Sequence, residues 1–135
     1  MKKMIILMTG MFLLAGFVLA ANQAAAPAQS TKAMTYAGTI IDNQCANSNK
    51  ANLGEFIKTH TKACALMPNC IASGYSLYMP DGTLKPFNKV SNAKIEKFLK
   101  KKSSKLTVDI KASESNGQLS LVSIKNQPVM KESAK

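Results

Sequence analysis

The stretch Ile40–Tyr75, IIDNQCANSNKANLGEFIKTHTKACALMPNCIASGY, decides how this chain is organised. It holds all three cysteines and the only histidine of the 135 residues. Cys45 comes first, His60 and Cys64 stand four positions apart, and Cys70 follows. Thiols and imidazole are the side chains that pair as disulfides or bind soft metals, so we expect any chemistry of the protein in this stretch.

Strand patterns lie on both sides of it. Their β-branched, aromatic and alternating apolar residues predict five strands: Thr35–Asp42, Tyr75–Met79, Leu84–Phe87, Leu106–Lys111 and Leu119–Ile124. Gly38 indicates a bulge or a sharp bend in the first strand, and Pro86 is typical of a sheet edge. The apolar phase shifts between Leu121 and Val122, which indicates a bulge or a strand buried on both faces. The polar segment Asn43–Lys50 is predicted to be a loop.

Helical spacing occurs in two regions. Apolar residues from Leu53 onward predict two short helices with a break near Thr59, and Gly74 is a cap for one further turn. The clearest helix is Ser91–Lys102, because its apolar residues form one stripe and its lysines follow at the negative end of the helix dipole. Ser91 is its predicted N-cap.

The order of these elements is typical of one fold class. A strand, a helical insertion, a hairpin, a helix and a second hairpin predict an α+β, mainly β domain, an OB-like five-stranded barrel. The Cys/His-bearing insertion then lies between strands 1 and 2, and the longer helix lies between strands 3 and 4. In OB folds the loop between strands 1 and 2 borders the usual ligand site, which directs attention to the insertion.

The N-terminal residues have the layout of a secretory signal. Lys2 and Lys3 precede the apolar run Met4–Ala20, and small residues follow. The predicted cut follows Ala20, with a cut after Ala28 as the alternative. The predicted parts are a cleavable signal peptide (1–20), a flexible linker (21–34), one domain (35–126) and a polar tail (127–135). We therefore expect export to the periplasm or the extracellular space, with no stable membrane span after cleavage.

The chain is basic, with a formal net charge of +11, and every basic residue is a lysine. The lack of arginine disfavours a nucleic-acid partner, because base and phosphate recognition relies on the bidentate guanidinium. We interpret the lysines as a solvated surface that an anionic envelope would attract. One histidine and no paired-carboxylate motif favour a binding or structural role over an enzyme, and no catalytic residue is predicted.

Four short motifs occur in order along the chain: Asp42-x-x-Cys45, His60-x3-Cys64-x5-Cys70, Ser73-Gly74-Tyr75 and Asp81-Gly82. With this pattern the chain resembles, over residues 35–126, a family of small exported bacterial domains of uncharacterised function. The resemblance implies export and a small β-rich fold, and it implies no activity. Many members space the last two cysteines more closely than Cys64 and Cys70, so geometry from the shorter spacing does not carry over.

A structural disulfide is the first interpretation of the cysteines. Exported cysteines usually pair, and one disulfide stabilises a small domain by about 2–4 kcal/mol. Cys64–Cys70 and Cys45–Cys70 are both compatible with the sequence, and three cysteines leave one thiol unpaired in either case. The protein would then be a disulfide-stapled module that binds a ligand or another protein without a metal.

A metal site is the second interpretation. One histidine and three cysteines make a complete tetrahedral set for zinc, so the predicted ligands are Cys45, His60, Cys64 and Cys70. If the segment is helical, His60 and Cys64 share one helix face. With Met67 beside them, the soft donors also suit Cu(I). The spacing matches no zinc-finger pattern, because no C-x-x-C is present.

Thiol–disulfide exchange is the third interpretation, with Cys64 and Cys70 as the exchanging pair and His60 lowering a thiol pKa. Pairs with this chemistry usually stand closer, as C-x-x-C. Asp42 is expected to cap the end of its strand or to orient His60, and core packing is favoured for the two tyrosines. The further candidate ligand contacts are Asp42, Met67, Tyr75 and Tyr78.

Overall fold

The computed structural model describes residues 32–128 as a five-stranded antiparallel sheet with short helices packed around it. The strands are β1 (Met34–Asp42), β2 (Tyr75–Tyr78), β3 (Leu84–Pro86), β4 (Thr107–Ser115) and β5 (Gln118–Asn126). The helices are α1 (Asn43–Ser48), α2 (Leu53–Thr59), α3 (Lys62–Ala65), α4 (Pro68–Ser73) and α5 (Lys89–Leu99), with a 3-10 turn at Lys50–Asn52. The predicted signal peptide, most of the linker and the end of the tail lie outside the described residues.

The strand order is β3-β2-β1-β4-β5, so β1 is the central strand and pairs with β2 on one side and β4 on the other. The prediction of an α+β, mainly β fold with five strands is confirmed. Pro86 lies in edge strand β3, where a missing backbone N–H costs no ladder bond. Within residues 32–128, no helix has the length and apolar character needed to cross a membrane.

The sheet is not closed by a ladder between β3 and β5. The two ends approach at one isolated parallel bridge between Phe87 and Leu119, where the backbone N–H of Asn88 donates to Leu119 O at 3.0 Å. A closed OB-like barrel therefore stays a prediction.

The hydrophobic core lies between the sheet and α5, on the face where the strand alternation directs its apolar residues. Its fully buried members include Ile40, Leu77, Ile95, Leu99, Val108, Ile110 and Leu119. The predicted bulge is confirmed, because Lys111 pairs with Ser123 and Ala112 pairs with Leu121. Val122 is the extra residue of β5, and its side chain is exposed.

The predicted N-cap of the long helix is wrong. Asn88 caps α5 by accepting a bond from the backbone N–H of Ser91 at 2.9 Å. Ser91 is instead the third residue of the helix. Its side chain is buried, and its hydroxyl accepts a bond from the backbone N–H of Leu121 at 2.7 Å. The hydroxyl therefore attaches α5 to β5, a role that depends on packing and has no local signal.

The predicted loop over residues 43–50 is also wrong, because α1 begins directly after β1. The carboxylate of Asp42 accepts a bond from the backbone N–H of Cys45 at 2.8 Å and so caps the helix. The predicted break near Thr59 is confirmed, with Thr61 capping α3 through Cys64 N at 3.2 Å. Gly74 ends α4 with φ = 76°, a left-handed conformation that glycine adopts without strain.

Candidate metal centre

Four side chains from two stretches of the chain, residues 42–45 and 60–64, converge at the end of β1. Asp42 is the last residue of β1, Cys45 lies in the first turn of α1, His60 follows α2 and Cys64 lies in α3. Each offers one ligand atom, and these four atoms all lie within 4.8 Å of one another. We call this group the metal-ligand cluster.

Asp42 holds the cluster together. Its side chain is fully buried, and its two oxygens have different partners. Oδ1 caps α1 through Cys45 N, and Oδ2 lies 3.0 Å from Nε2 of His60. Both roles that the sequence allowed, capping the strand end and orienting the histidine, therefore fall to one carboxylate.

His60 has one nitrogen without a partner. Its side chain is buried, and its ring lies against Phe56 with 5.6 Å between ring centroids. A carboxylate only accepts, so a neutral His60 donates from Nε2 to Asp42 and keeps a bare lone pair on Nδ1. Within residues 32–128 no atom hydrogen-bonds to this buried Nδ1. A buried acceptor without a hydrogen bond costs about 1–3 kcal/mol of stability, and an ion bound at the imidazole would remove part of that cost.

The spacing of Cys45 and Cys64 fits a shared ion. Their sulfurs lie 3.7 Å apart, and all three cysteines, which the described residues include, are free thiols. A disulfide needs an S–S distance of about 2.0 Å. Two thiolates at about 2.3 Å from a tetrahedral zinc lie roughly 3.8 Å apart, close to the observed separation.

Cys70 lies beside the metal-ligand cluster and is not one of its four members. It is buried in α4, and it lines one pocket together with Cys45 and Cys64. Three of the four predicted ligands, Cys45, His60 and Cys64, thus belong to the cluster. Asp42, which the sequence indicated only as a further contact, completes it.

Burial favours the protonated form of two of the thiols, those of Cys45 and Cys70. Burial, with the contact to Cys64 and the charge of Asp42, raises the pKa of Cys45 far above its ordinary value. Burial, followed by the bond and charge of Asp42, raises the pKa of Cys70 to about 11. A thiolate is the nucleophile in disulfide exchange, so these shifts disfavour the redox interpretation. A bound cation would reverse the balance, because it deprotonates coordinating thiols.

The other predicted contact residues have separate positions. Tyr75 is fully buried, and its hydroxyl donates to Ala65 O at 2.9 Å, which supports core packing. Tyr78 is half-buried and lines a different groove with Thr39 and Ile57. Met67 is 55% exposed and lies at the mouth of a pocket beside the cluster.

No protein-family model, curated protein or solved structure matches this chain. The resemblance to a family of small exported bacterial domains therefore stays a prediction.

One signal in the sequence could have identified Asp42 as a member of the cluster. A helix-capping residue accepts a bond from the backbone of the residue three positions later, so the two side chains start side by side. The spacing Asp42-x-x-Cys45 is such a pair, with the cysteine at the bonded position. The capping bond therefore places the Asp42 carboxylate beside Cys45, and its second oxygen contacts His60.

Proposed function

We propose that this protein binds a zinc ion through Asp42, Cys45, His60 and Cys64, as a small binding or structural domain without catalysis. The observation that carries the proposal is the convergence of four ligand atoms within 4.8 Å of one another. Two thiolates, one imidazole and one carboxylate are donors that zinc accepts, and four protein ligands are typical of a closed structural site. Copper is the other metal that the sulfur content allows.

The weak packing of the insertion supports a structural role for the ion. Ala46 is the buried residue of α1, Ala65 is that of α3, and none of the seven residues of α2, all described, is buried. Helices this short are marginal without tertiary support. A bound ion would connect α1, α2 and α3 at one point, so its binding energy would contribute directly to the folding of the insertion.

Mass and metal analysis of the purified protein test the proposal. Native mass spectrometry should find one zinc ion per chain, and denaturing mass spectrometry should find three reduced thiols. His60→Ala should lower zinc affinity by at least about tenfold, since even outer partners of a metal ligand contribute that much. Lys58→Ala, an exposed change in the preceding turn, is the control and should leave affinity unchanged. Wild-type affinity in His60→Ala would contradict the proposal.

A disulfide between Cys45 and Cys64 is the second candidate, favoured by their 3.7 Å sulfur separation and by the expected oxidising compartment. The protein would then be a metal-free, disulfide-stapled binding module. Protease resistance of the insertion separates the two. A zinc site should lose resistance on chelation and in His60→Ala, whereas a disulfide should lose it only on reduction. Equal resistance after chelation, in His60→Ala and after reduction would contradict both candidates and would indicate that the cysteines are packed, inactive thiols.

We also propose export and an OB-like arrangement of the strands. Export is supported by Lys2, Lys3 and the apolar run that follows them. The OB-like arrangement is supported by the strand order and by the bridge between Phe87 and Leu119. N-terminal sequencing of the extracytoplasmic protein should find Ala21 or Gln29 first, and an intact Met1 in a membrane fraction would contradict export.

A further inference from the structure

The metal-ligand cluster borders a pocket that is lined mainly by sulfur-bearing and apolar groups. The pocket has a volume of about 300 Å³. Its lining residues are Gln44, Cys45, Cys64, Met67, Pro68, Asn69 and Cys70. All three cysteines and one methionine thus face the same space, whereas Asp42 and His60 are not among the lining residues.

The three cysteines line one wall of this pocket. The sulfur of Cys45 lies 3.7 Å from that of Cys64, and the buried Cys70 lines the same space. Cys45 and Cys64 are therefore shared by two donor sets. A carboxylate oxygen of Asp42 and a ring nitrogen of His60, which do not line the pocket, complete the first set. The sulfur of Cys70, which lines the pocket, completes the second.

Met67 adds a fourth soft donor at the mouth of the pocket. It directly precedes α4, whose buried Cys70 lies in the same pocket wall. Its side chain is 55% exposed. A flexible thioether in this position can contact an incoming ion before the buried thiols do.

We propose that Cys45, Cys64 and Cys70 bind Cu(I) from the pocket side, and that Met67 is the first residue to contact the ion. The inference rests on the proposed function, that the cluster is a metal centre. A donor set of thiolates and a thioether suits the soft ion Cu(I), whereas zinc also accepts a carboxylate and an imidazole beside its thiolates. Because both sets use Cys45 and Cys64, the two ions exclude each other.

Binding releases the thiol protons to solvent, and copper keeps its monovalent state throughout, so no oxidant or reductant is consumed. The apolar lining offers hard cations few oxygen ligands. The pocket is therefore suited to a soft monovalent cargo that enters and leaves through the exposed mouth.

Parallel titrations with Cu(I) and with zinc, each against a chromogenic competitor under anaerobic conditions, test the inference. Cys70→Ser should lower Cu(I) affinity by at least about tenfold and leave zinc affinity unchanged. His60→Ala should lower zinc affinity and leave Cu(I) affinity unchanged. Retention of zinc by Cys70→Ser also demonstrates that this buried substitution has not unfolded the domain.

Met67→Leu should slow transfer of Cu(I) from a soluble donor chelate without changing zinc affinity. Met34→Leu is the matched control, because Met34 is similarly exposed, at 59%, and lies at the far end of β1. If Cys70→Ser binds Cu(I) as tightly as the wild type, or if His60→Ala weakens both ions equally, the inference is overturned and zinc binding stands. If the wild type takes up no zinc, the proposed function itself fails.

Discussion

The sheet and the insertion are stabilised in different ways. The sheet and α5 share a core of fully buried aliphatic side chains, such as Ile40, Leu99 and Val108. The insertion between β1 and β2 is held by polar contacts: the Asp42–His60 pair, the capping bonds and the contact between the Cys45 and Cys64 thiols. Apolar burial is tolerant of position, whereas polar contacts depend on distance and protonation. Changes in the insertion should therefore alter binding before they alter the fold.

The largest effect should follow from breaking the sheet core. Val108→Asp places a carboxylate at a fully buried position of β4, so we expect the domain to unfold, with a loss above about 3 kcal/mol. Thr107→Asp, one residue earlier on the exposed face, is the control. Thermal denaturation followed by circular dichroism measures both. Equal melting temperatures would contradict the register of β4.

A smaller but substantial effect should follow from Asp42→Ala in the insertion. The change removes the cap of α1 and leaves His60 Nε2 buried without an acceptor, at a combined cost of about 2–4 kcal/mol. Asp42→Asn keeps a capping oxygen and should cost less. Hydrogen exchange should show the loss of protection in α1 and α2 while β4 stays protected. Uniform loss across the sheet would show that the two regions are not independent.

The connection between the two regions can be tested at Lys62. Its ammonium donates to Lys101 O at 3.1 Å, Lys102 O at 3.2 Å and Ser104 O at 3.0 Å, beyond the end of α5. Lys62→Met should cost about 1–2 kcal/mol and increase protease cleavage after α5, because those carbonyls lose the ammonium that connects them to α3. Lys58→Met, which removes an exposed ion pair, should change stability by less than about 0.5 kcal/mol.

The smallest effect concerns alkaline pH and Tyr75. Burial raises the pKa of Tyr75 from its ordinary 10.0 to about 12, because the folded state favours the neutral phenol. Its contribution to stability is therefore complete below pH 10 and is lost as the pH rises toward 12. Tyr75→Phe should cost about 1 kcal/mol at pH 7 and flatten this part of the pH profile. Parallel profiles for the two proteins, from urea denaturation, would contradict the assignment.

Much of the sheet could be predicted because its signals are local. Alternation between buried and exposed positions along β4, the phase shift at Val122 and the edge position of Pro86 need only neighbouring residues. The cap of α5 could not be predicted in this way. Asn88 and Ser91 both have capping side chains, and the choice between them depends on Leu121, thirty residues further along the chain.

The sequence by itself determined that the chemistry of this protein is concentrated between β1 and β2, because all its thiols and its imidazole occur there. Only the tertiary structure decided which of these groups meet. Cys45 and Cys64 are nineteen residues apart, and the path of α2 brings their sulfurs within 3.7 Å. The same path places Asp42 behind His60 and leaves Cys70 on the pocket side. Such distances depend on where short helices end and pack, which no local pattern specifies.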